Sequence, residues 1–187
     1  LSDIEVDSDG NVFIVGTCKG AIDYGTETSD CDGGYDNYNE VMIAKANSDG
    51  TWDWVEYASG EGSMETAYSL TVDDEGSAYL TGSFCGQNSA GSSGNCDVSF
   101  GGYSIHATSG SSHSGSYRTF VAKIDTEGEW QWASRAGSGY GVYSRGNDLA
   151  LDGLGGLYVT GWFSTGTGTQ YPMSFGDSNS HQITSNQ

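Results

Sequence analysis

Basic residues are scarce in this sequence: 6 lysines and arginines stand against 25 aspartates and glutamates, for a formal net charge of −19. A chain without a basic patch has nothing to meet a phosphate backbone, so we expect no nucleic-acid partner and no attraction to anionic membranes. The acidic excess fits solubility outside a cell, divalent-cation binding or a saline habitat. A solvated acidic surface also accounts for it without any ligand.

Helical periodicity and long apolar runs are missing too. No stretch repeats its apolar residues at helical spacing over a useful length, and none is long and apolar enough to span a membrane. Thirty glycines, a single proline and abundant serine and threonine instead indicate many tight turns between short strands. The sequence therefore predicts an all-β protein with no membrane insertion.

The Cys-x-x-Cys spacing of a zinc site is absent, although the chain has four cysteines. Four cysteines allow three pairings, and we expect Cys18 to pair with Cys31 and Cys85 with Cys96, because each pair brackets one Gly/Ser/Asp-rich loop. Closing a loop of about a dozen residues stabilises by roughly 3 kcal/mol in the chain-entropy model. Disulfides imply an oxidising compartment, so an extracellular or cell-surface location is predicted.

Three copies of one strand–turn–strand motif organise the rest of the chain. The copies read VDSDGNVFIVG, VDDEGSAYLTG and LDGLGGLYVTG, and they occupy Val6–Gly16, Val72–Gly82 and Leu151–Gly161. Each contains an Asp-x-x-Gly turn, whose glycine accepts a left-handed backbone without strain. We divide the chain accordingly into repeat 1, repeat 2 and a partial repeat 3, which comprise residues 1–66, 67–145 and 146–187.

Repeats 1 and 2 continue with a second shared motif. Met42-Ile43-Ala44-Lys45 matches Phe120-Val121-Ala122-Lys123, and each is followed by a turn and a Trp-x-Trp strand. The distance from the first-turn aspartate to the first tryptophan grows from 45 residues (7 to 52) to 57 (73 to 130). The insertions therefore lie between the second and third strands. Four short antiparallel strands with variable loops are typical of a β-propeller blade.

These motifs resemble the bacterial and archaeal seven-bladed β-propeller repeat family, whose units resemble "ialDsaGnvYvtGsF…dFG…FvaKldpdGnwlWa". The matching segments are IEVDSDGNVFIVGT, DYG and MIAKANSDGTWDW in repeat 1, VDDEGSAYLTGSF, VSFG and FVAKIDTEGEWQWA in repeat 2, and LALDGLGGLYVTGWF and MSFG in repeat 3. The resemblance implies a β-propeller-like fold of four-stranded antiparallel blades, about two and a half in this chain. Family members are mostly extracellular or surface proteins of undefined activity, so it implies fold more than function.

The number of blades is too small for a ring. Propellers close with roughly four to eight blades, and an open arc leaves sheet faces and strand edges bare. Three explanations follow: the chain is a fragment, the missing strands come from another copy, or identical chains assemble to cover the open faces. The expected partners are therefore further copies of the chain or flanking repeats of the same polypeptide.

Two acidic segments are calcium candidates: a turn with Asp7, Asp9 and Asn11, and a run beside Cys31 with Asp30, Asp32 and Asp36. The turn resembles the start of a calcium loop, but the distal glutamate of an EF-hand is missing. Aspartate and glycine also suit hairpin turns for backbone reasons alone. Across the three copies only the aspartate and glycine of the turn persist, which favours the turn over the Ca²⁺ site.

Catalytic signatures are weak. The three histidines share no ligand spacing, and no Gly-x-Ser-x-Gly elbow occurs, so we expect no enzyme. Aromatic side chains could stack on sugars, but four of the five tryptophans occupy repeat-equivalent positions that core packing explains: Trp52, Trp54, Trp130 and Trp132. Trp162 is less constrained.

The sequence supports three hypotheses of function. The first is a non-enzymatic, extracellular structural or adhesive module that forms part of a larger surface assembly or filament. The second is a carbohydrate-binding module that uses loop aromatics to bind glycans. The third is a fragment of a propeller enzyme, a hydrolase or lyase, with paired carboxylates converging on a central channel.

Overall fold

The computed structural model describes residues 1–25, 28–31, 39–60, 65–85, 96–107, 117–137, 142–165, 173–175 and 181–183. For residues 28–30, 96, 142, 165, 173–175 and 181–183 it describes the backbone alone. The described chain is all-β, with antiparallel pairing throughout, as the sequence predicts. Within these ranges no helix is long and apolar enough to cross a membrane.

Sixteen strands make up the described fold. They are β1 Asp3–Val6, β2 Val12–Cys18, β3 Gly20–Asp23, β4 Thr28–Cys31, β5 Glu40–Ala46, β6 Trp52–Ser59, β7 Thr66–Val72, β8 Ala78–Phe84, β9 Cys96–Phe100, β10 Tyr103–Ala107, β11 Arg118–Ile124, β12 Trp130–Ala136, β13 Val142–Leu151, β14 Leu157–Thr165, β15 Met173–Phe175 and β16 His181–Ile183.

The predicted turns connect these strands. In each of the three copies the aspartate amide donates to the carbonyl four residues further on, as in the bond from Asp73 N to Ser77 O at 2.9 Å. Gly76 has a φ of +81°, in the left-handed region that the Asp-x-x-Gly pattern predicts. The turn assignment is therefore confirmed in its backbone geometry.

Two six-stranded sheets form the body of the described structure. Their orders are β1-β2-β5-β6-β9-β10 and β16-β15-β12-β11-β8-β7, whereas β13–β14 and β3–β4 are two-stranded. The sequence predicts four strands per repeat, and four adjacent strands of each six-stranded sheet do come from one repeat: β1, β2, β5 and β6 in the first sheet, and β7, β8, β11 and β12 in the second. The extra two strands are a hairpin from the insertion of the next repeat. In the described residues the sheets do not close into a barrel.

We call β3–β4, β9–β10 and β15–β16 the insertion hairpins. The hairpin of repeat 2 joins the last strand of repeat 1, with Phe100 opposite Ala58. The hairpin of repeat 3 joins the last strand of repeat 2, with Phe175 opposite Ala136. Ala58 and Ala136 are repeat-equivalent, and so are the two phenylalanines, so both junctions use the same register.

The main core lies between repeats 1 and 2. Its fully buried side chains come from the facing strands of both sheets, and Ile43 of repeat 1 and Leu80 and Phe120 of repeat 2 are among them. Along each strand these side chains alternate with side chains that point to the opposite face of the sheet. A smaller cluster contains Cys18, Cys31 and Met42.

Candidate functional site

The aspartate of each turn is held by the turn itself. In repeat 2, Asp73 Oδ1 accepts hydrogen bonds from the amides of Glu75 (3.1 Å) and Ser77 (2.8 Å), and Oδ2 accepts one from the Tyr79 hydroxyl (3.0 Å). Partial burial opposes ionisation of Asp73, but these hydrogen bonds and the nearby Lys123 charge outweigh it and lower its pKa. Both oxygens of the carboxylate are therefore already used in hydrogen bonds within the hairpin.

The first calcium candidate has the same geometry. Asp7 Oδ1 accepts from the amides of Asp9 (2.9 Å) and Asn11 (2.8 Å), and Oδ2 accepts from the Asn11 side-chain amide (2.8 Å). The Asn11 oxygen accepts from the Ser48 amide at 3.2 Å. These bonds, led by that from the Asn11 side chain, outweigh the opposing effect of burial and lower the pKa of Asp7. Calcium at this turn stays a prediction, and it would have to compete with bonds already made.

The second calcium candidate falls outside the described residues. The side chain of Asp30 and the whole of Asp32 and Asp36 lie outside the described residues. Where the structure does describe side chains, no group of three or more histidines, cysteines, aspartates or glutamates is arranged to hold a metal ion.

The predicted disulfide between Cys18 and Cys31 is confirmed. The two Cα atoms are 6.1 Å apart, and the bond ties the end of β2 to the end of the insertion hairpin of repeat 1. Cys85 is also disulfide-bonded. The side chain of its predicted partner, Cys96, is outside the described residues, so that pairing stays a prediction.

The aromatic residues of the Trp-x-Trp strands pack between elements of the fold. Trp130 is buried against Phe100, with ring centroids 5.0 Å apart, and Trp52 meets Tyr24 in the equivalent edge-on contact at 6.1 Å. Trp54 packs on Phe13 and donates to the carbonyl of Thr126 in repeat 2 at 2.9 Å. These contacts agree with a packing role, although Trp52 keeps 43% of its surface exposed.

An acidic cavity of about 840 Å³, which the sequence did not single out, is lined by the first strands of the three repeats. Asp3, Ser69 and Asp148 hold the same position in those strands, and they link neighbouring repeats. Asp3 accepts from the Leu70 amide at 2.9 Å, and the Ser69 hydroxyl donates to Asp148 at 2.9 Å. Burial and the neighbouring Asp3 charge raise the pKa of Glu5 in the same cavity.

An apolar groove of about 240 Å³ lies beside β14 and was also missed. We call it the open groove, and its lining includes Val121, Ala136, Val159, Gly161, Trp162 and Phe163. Val159 is 41% exposed, whereas Leu80, its equivalent in repeat 2, is completely buried. The sequence signal was available, because a strand motif that is buried in two copies should need the same cover in the third.

The comparisons with known proteins give no relative. No protein-family model matches the chain, and no curated protein matches it either. The resemblance to β-propeller repeats therefore depends on the motifs of the sequence alone.

Proposed function

We propose that this chain is a non-enzymatic structural module of an extracellular, β-propeller-type surface assembly. The observation that carries the proposal is the junction between repeats, where the insertion hairpin of one repeat extends the sheet of the repeat before it. The same register, phenylalanine opposite alanine, occurs at both junctions. Modules joined in this way gain main-chain hydrogen bonds across each boundary, which is how strand addition fastens proteins together.

Aromatic packing secures each hairpin at its junction. The Phe100 ring lies 5.1 Å from Phe120 and 5.0 Å from Trp130, both in its own repeat, while its backbone pairs with the preceding repeat. Aromatic pairs of this kind contribute about 0.5–1.5 kcal/mol beyond the area that they bury. One residue thus contacts two repeats, which suits a protein whose task is to hold repeats together.

The insertion hairpin of repeat 1 supports assembly beyond the described residues. Tyr24 contacts Trp52 as Phe100 contacts Trp130, so the hairpin is oriented like that of repeat 2. The Cys18–Cys31 disulfide fixes it to β2. Among the described strands, however, β3 pairs only with β4. Its free edge is the equivalent of the β9 edge that joins β6, and a neighbouring module would supply the partner strand.

The acidic side chains support a structural role over catalysis. Asp3, Asp73 and Asp148 each accept hydrogen bonds from the fold. Their carboxylates stabilise turns and link neighbouring first strands, which is useful in a scaffold. The disulfide agrees with an extracellular setting, since cytosolic thiols are kept reduced.

Sedimentation velocity at increasing concentration tests this proposal. We expect the chain to self-associate reversibly by pairing of the β3 edges of two copies, and an Ala21→Lys substitution on that edge should weaken association, because lysine blunts edge strands. Leu154→Lys is the matched control, since Leu154 is 93% exposed in a distant turn. A compact monomer of 19.6 kDa at every concentration would contradict self-assembly.

Carbohydrate binding is a second candidate, favoured by two aromatic side chains on one face of β14. Tyr158 and Trp162 lie four residues apart in the strand and therefore point to the same side, and they are 63% and 42% exposed. Exposed aromatic faces are suited to stacking on sugars. A glycan array would test this, and loss of any signal in Trp162→Ala but not in Trp52→Ala would support a site on β14.

A further inference from the structure

Three equivalent strands have different neighbours. In repeat 1, β2 pairs along its length with β5, and in repeat 2, β8 pairs with β11 through seven residue pairs. In repeat 3, the equivalent strand β14 pairs only with β13 among the described residues. The edge of β14 therefore corresponds to an edge that is filled twice elsewhere in the same molecule.

The filled edges of β2 and β8 show which side chains such an edge accepts. Phe120 lies opposite Gly82, and a Cβ added to that glycine would be 2.7 Å from the phenylalanine ring. In repeat 1, Met42 lies opposite Gly16. The glycine thus leaves room for a large side chain on the incoming strand. Gly161 is the third copy of this glycine.

The next positions are equally specific. Ala122 lies opposite Leu80, and Ala44 lies opposite Ile14, so a small residue faces a large apolar one. In repeat 3 the apolar residue is Val159, which borders the open groove. Val121, on the other wall, is half-buried, whereas its equivalent in repeat 1, Ile43, is fully covered by repeat 2.

A charge-bearing position completes the pattern. In repeat 2, Lys123 lies opposite Tyr79, with its Nζ 4.8 Å from the ring centroid and 3.4 Å from Asp73 Oδ2. Repeat 3 contains the same acceptor pair, because the Tyr158 hydroxyl donates to Asp152 Oδ2 at 3.3 Å. The bonds described for Asp152 come from its own turn and from Tyr158.

We propose that the open groove and the edge of β14 bind a β-hairpin of the same class as β11–β12, donated by a neighbouring repeat module. Its first strand would place an aromatic residue or methionine opposite Gly161, an alanine opposite Val159 and a lysine opposite Tyr158. The proposal rests on the proposed function and names the partner that one surface of the module takes. Continuity with the filled junction favours this occupant over a second copy of the chain, whose two hairpins of this class are engaged in their own sheets.

A synthetic hairpin with the sequence of residues 117–137 is the probe. It is added to the intact chain at a concentration where the chain alone is monomeric, and backbone amide exchange is measured along Leu157–Thr165. We expect a one-to-one complex by native mass spectrometry and at least about tenfold slower exchange in β14, since new strand pairing protects edge amides. Tethering the probe to the chain by a Gly/Ser linker raises its local concentration, so weak binding remains measurable.

Variants distinguish binding at this site from non-specific association. Val159→Asp should weaken binding by about tenfold or more, because it puts an unpaired charge in the groove, while Leu154→Asp should leave binding unchanged. A probe with Lys123→Glu should bind worse than one with Glu127→Lys, since only the first loses the contact with Asp152 and Tyr158. A probe without effect on β14, even when tethered, would overturn the proposal, as would equal binding by the Val159 variant.

The two proposals fail separately. Protection of β14 by self-association alone, without the probe, would assign the groove to a second copy and overturn the hairpin as its occupant. A chain that stays monomeric but binds the probe would contradict self-assembly while retaining the groove. A chain that self-associates but does not bind the tethered probe would support self-assembly and contradict the hairpin as the occupant of the groove.

Discussion

The interface between repeats 1 and 2 and the interface between repeats 2 and 3 are made from equivalent strands. In the described structure, however, only the first of these interfaces is fully packed. At the first, β11 covers the apolar face of repeat 1 and buries Leu80 beside Phe120. At the second, the same face is lined by Val121 and partly exposed Val159. The difference teaches that turn chemistry is enough to form the β13–β14 hairpin, whereas burial of the β14 face needs the next strand along.

The largest predicted effect concerns equivalent residues at the two junctions. Leu80→Ala should lower the free energy of unfolding by about 2–5 kcal/mol, because it leaves a cavity in a closed core. Val159→Ala should cost less than about 1 kcal/mol, since the side chain is already half in water. Chemical denaturation of both variants measures this difference. Equal losses would mean that the second junction is as well covered as the first.

The disulfide of repeat 1 should have the next largest effect. The insertion hairpin of repeat 1 is fastened by the Cys18–Cys31 disulfide, whereas β9–β10 is fastened by strand pairing with the sheet of repeat 1. Replacing both cysteines by serine should therefore cost roughly 3 kcal/mol, by the chain-entropy model for a short loop. The exchange of amides in β3 and β4 should accelerate more than that of amides in β9. Unchanged stability in the double variant would show that the disulfide does not stabilise the fold.

The turn glycines give a smaller contrast. Gly76 and Gly155 both have left-handed backbones, with φ of +81° and +90°. Valine at either position should cost at least about 1 kcal/mol in backbone strain. The cost should be larger at Gly76, where an added Cβ would be 3.0 Å from Thr126 Cγ2, than at Gly155, where it meets nothing within 4 Å. Thermal unfolding of the two variants would reveal any reversal of this order.

The smallest effect is electrostatic. A carboxyl group with a lowered pKa in the folded state stabilises the fold above its unfolded pKa, and that contribution is lost as pH falls through the folded value. Asp73 should therefore add at most about 1 kcal/mol above its ordinary pKa of 3.8, shrinking at lower pH. In an NMR titration, Lys123→Met should raise the pKa of Asp73 and leave that of Asp152 unchanged. An equal rise at both would contradict the local pairing.

The sequence predicts the elements that depend on local chemistry. The Asp-x-x-Gly turns, the alternating strands that flank them and the Cys18–Cys31 bond all depend on neighbours in the chain, and the structure contains them. Repeat alignment adds the position of the insertions, because the Asp7–Trp52 spacing differs from the Asp73–Trp130 spacing. These features need no knowledge of distant contacts.

The insertion hairpins and the acidic cavity could not be predicted in the same way. The insertion that contains Phe100 reads as a polar loop, and its pairing with Ala58 depends on a strand some forty residues earlier. Asp3 looks like one more surface acid until its bond to the Leu70 amide of the next repeat is seen. Such pairings depend on how the repeats stack, which a single-chain pattern does not encode.

Hydrogen exchange in the unmodified chain tests the contrast between the two junctions most directly. The amides of β8 lie between two strands, whereas alternate amides of β14 point away from β13 at an edge that no described strand pairs with. We predict that these β14 amides exchange at least about a hundredfold faster than their equivalents in β8, because local opening is easier at an unpaired edge. Equal protection at Leu80 to Ser83 and at Val159 to Trp162 would contradict the account.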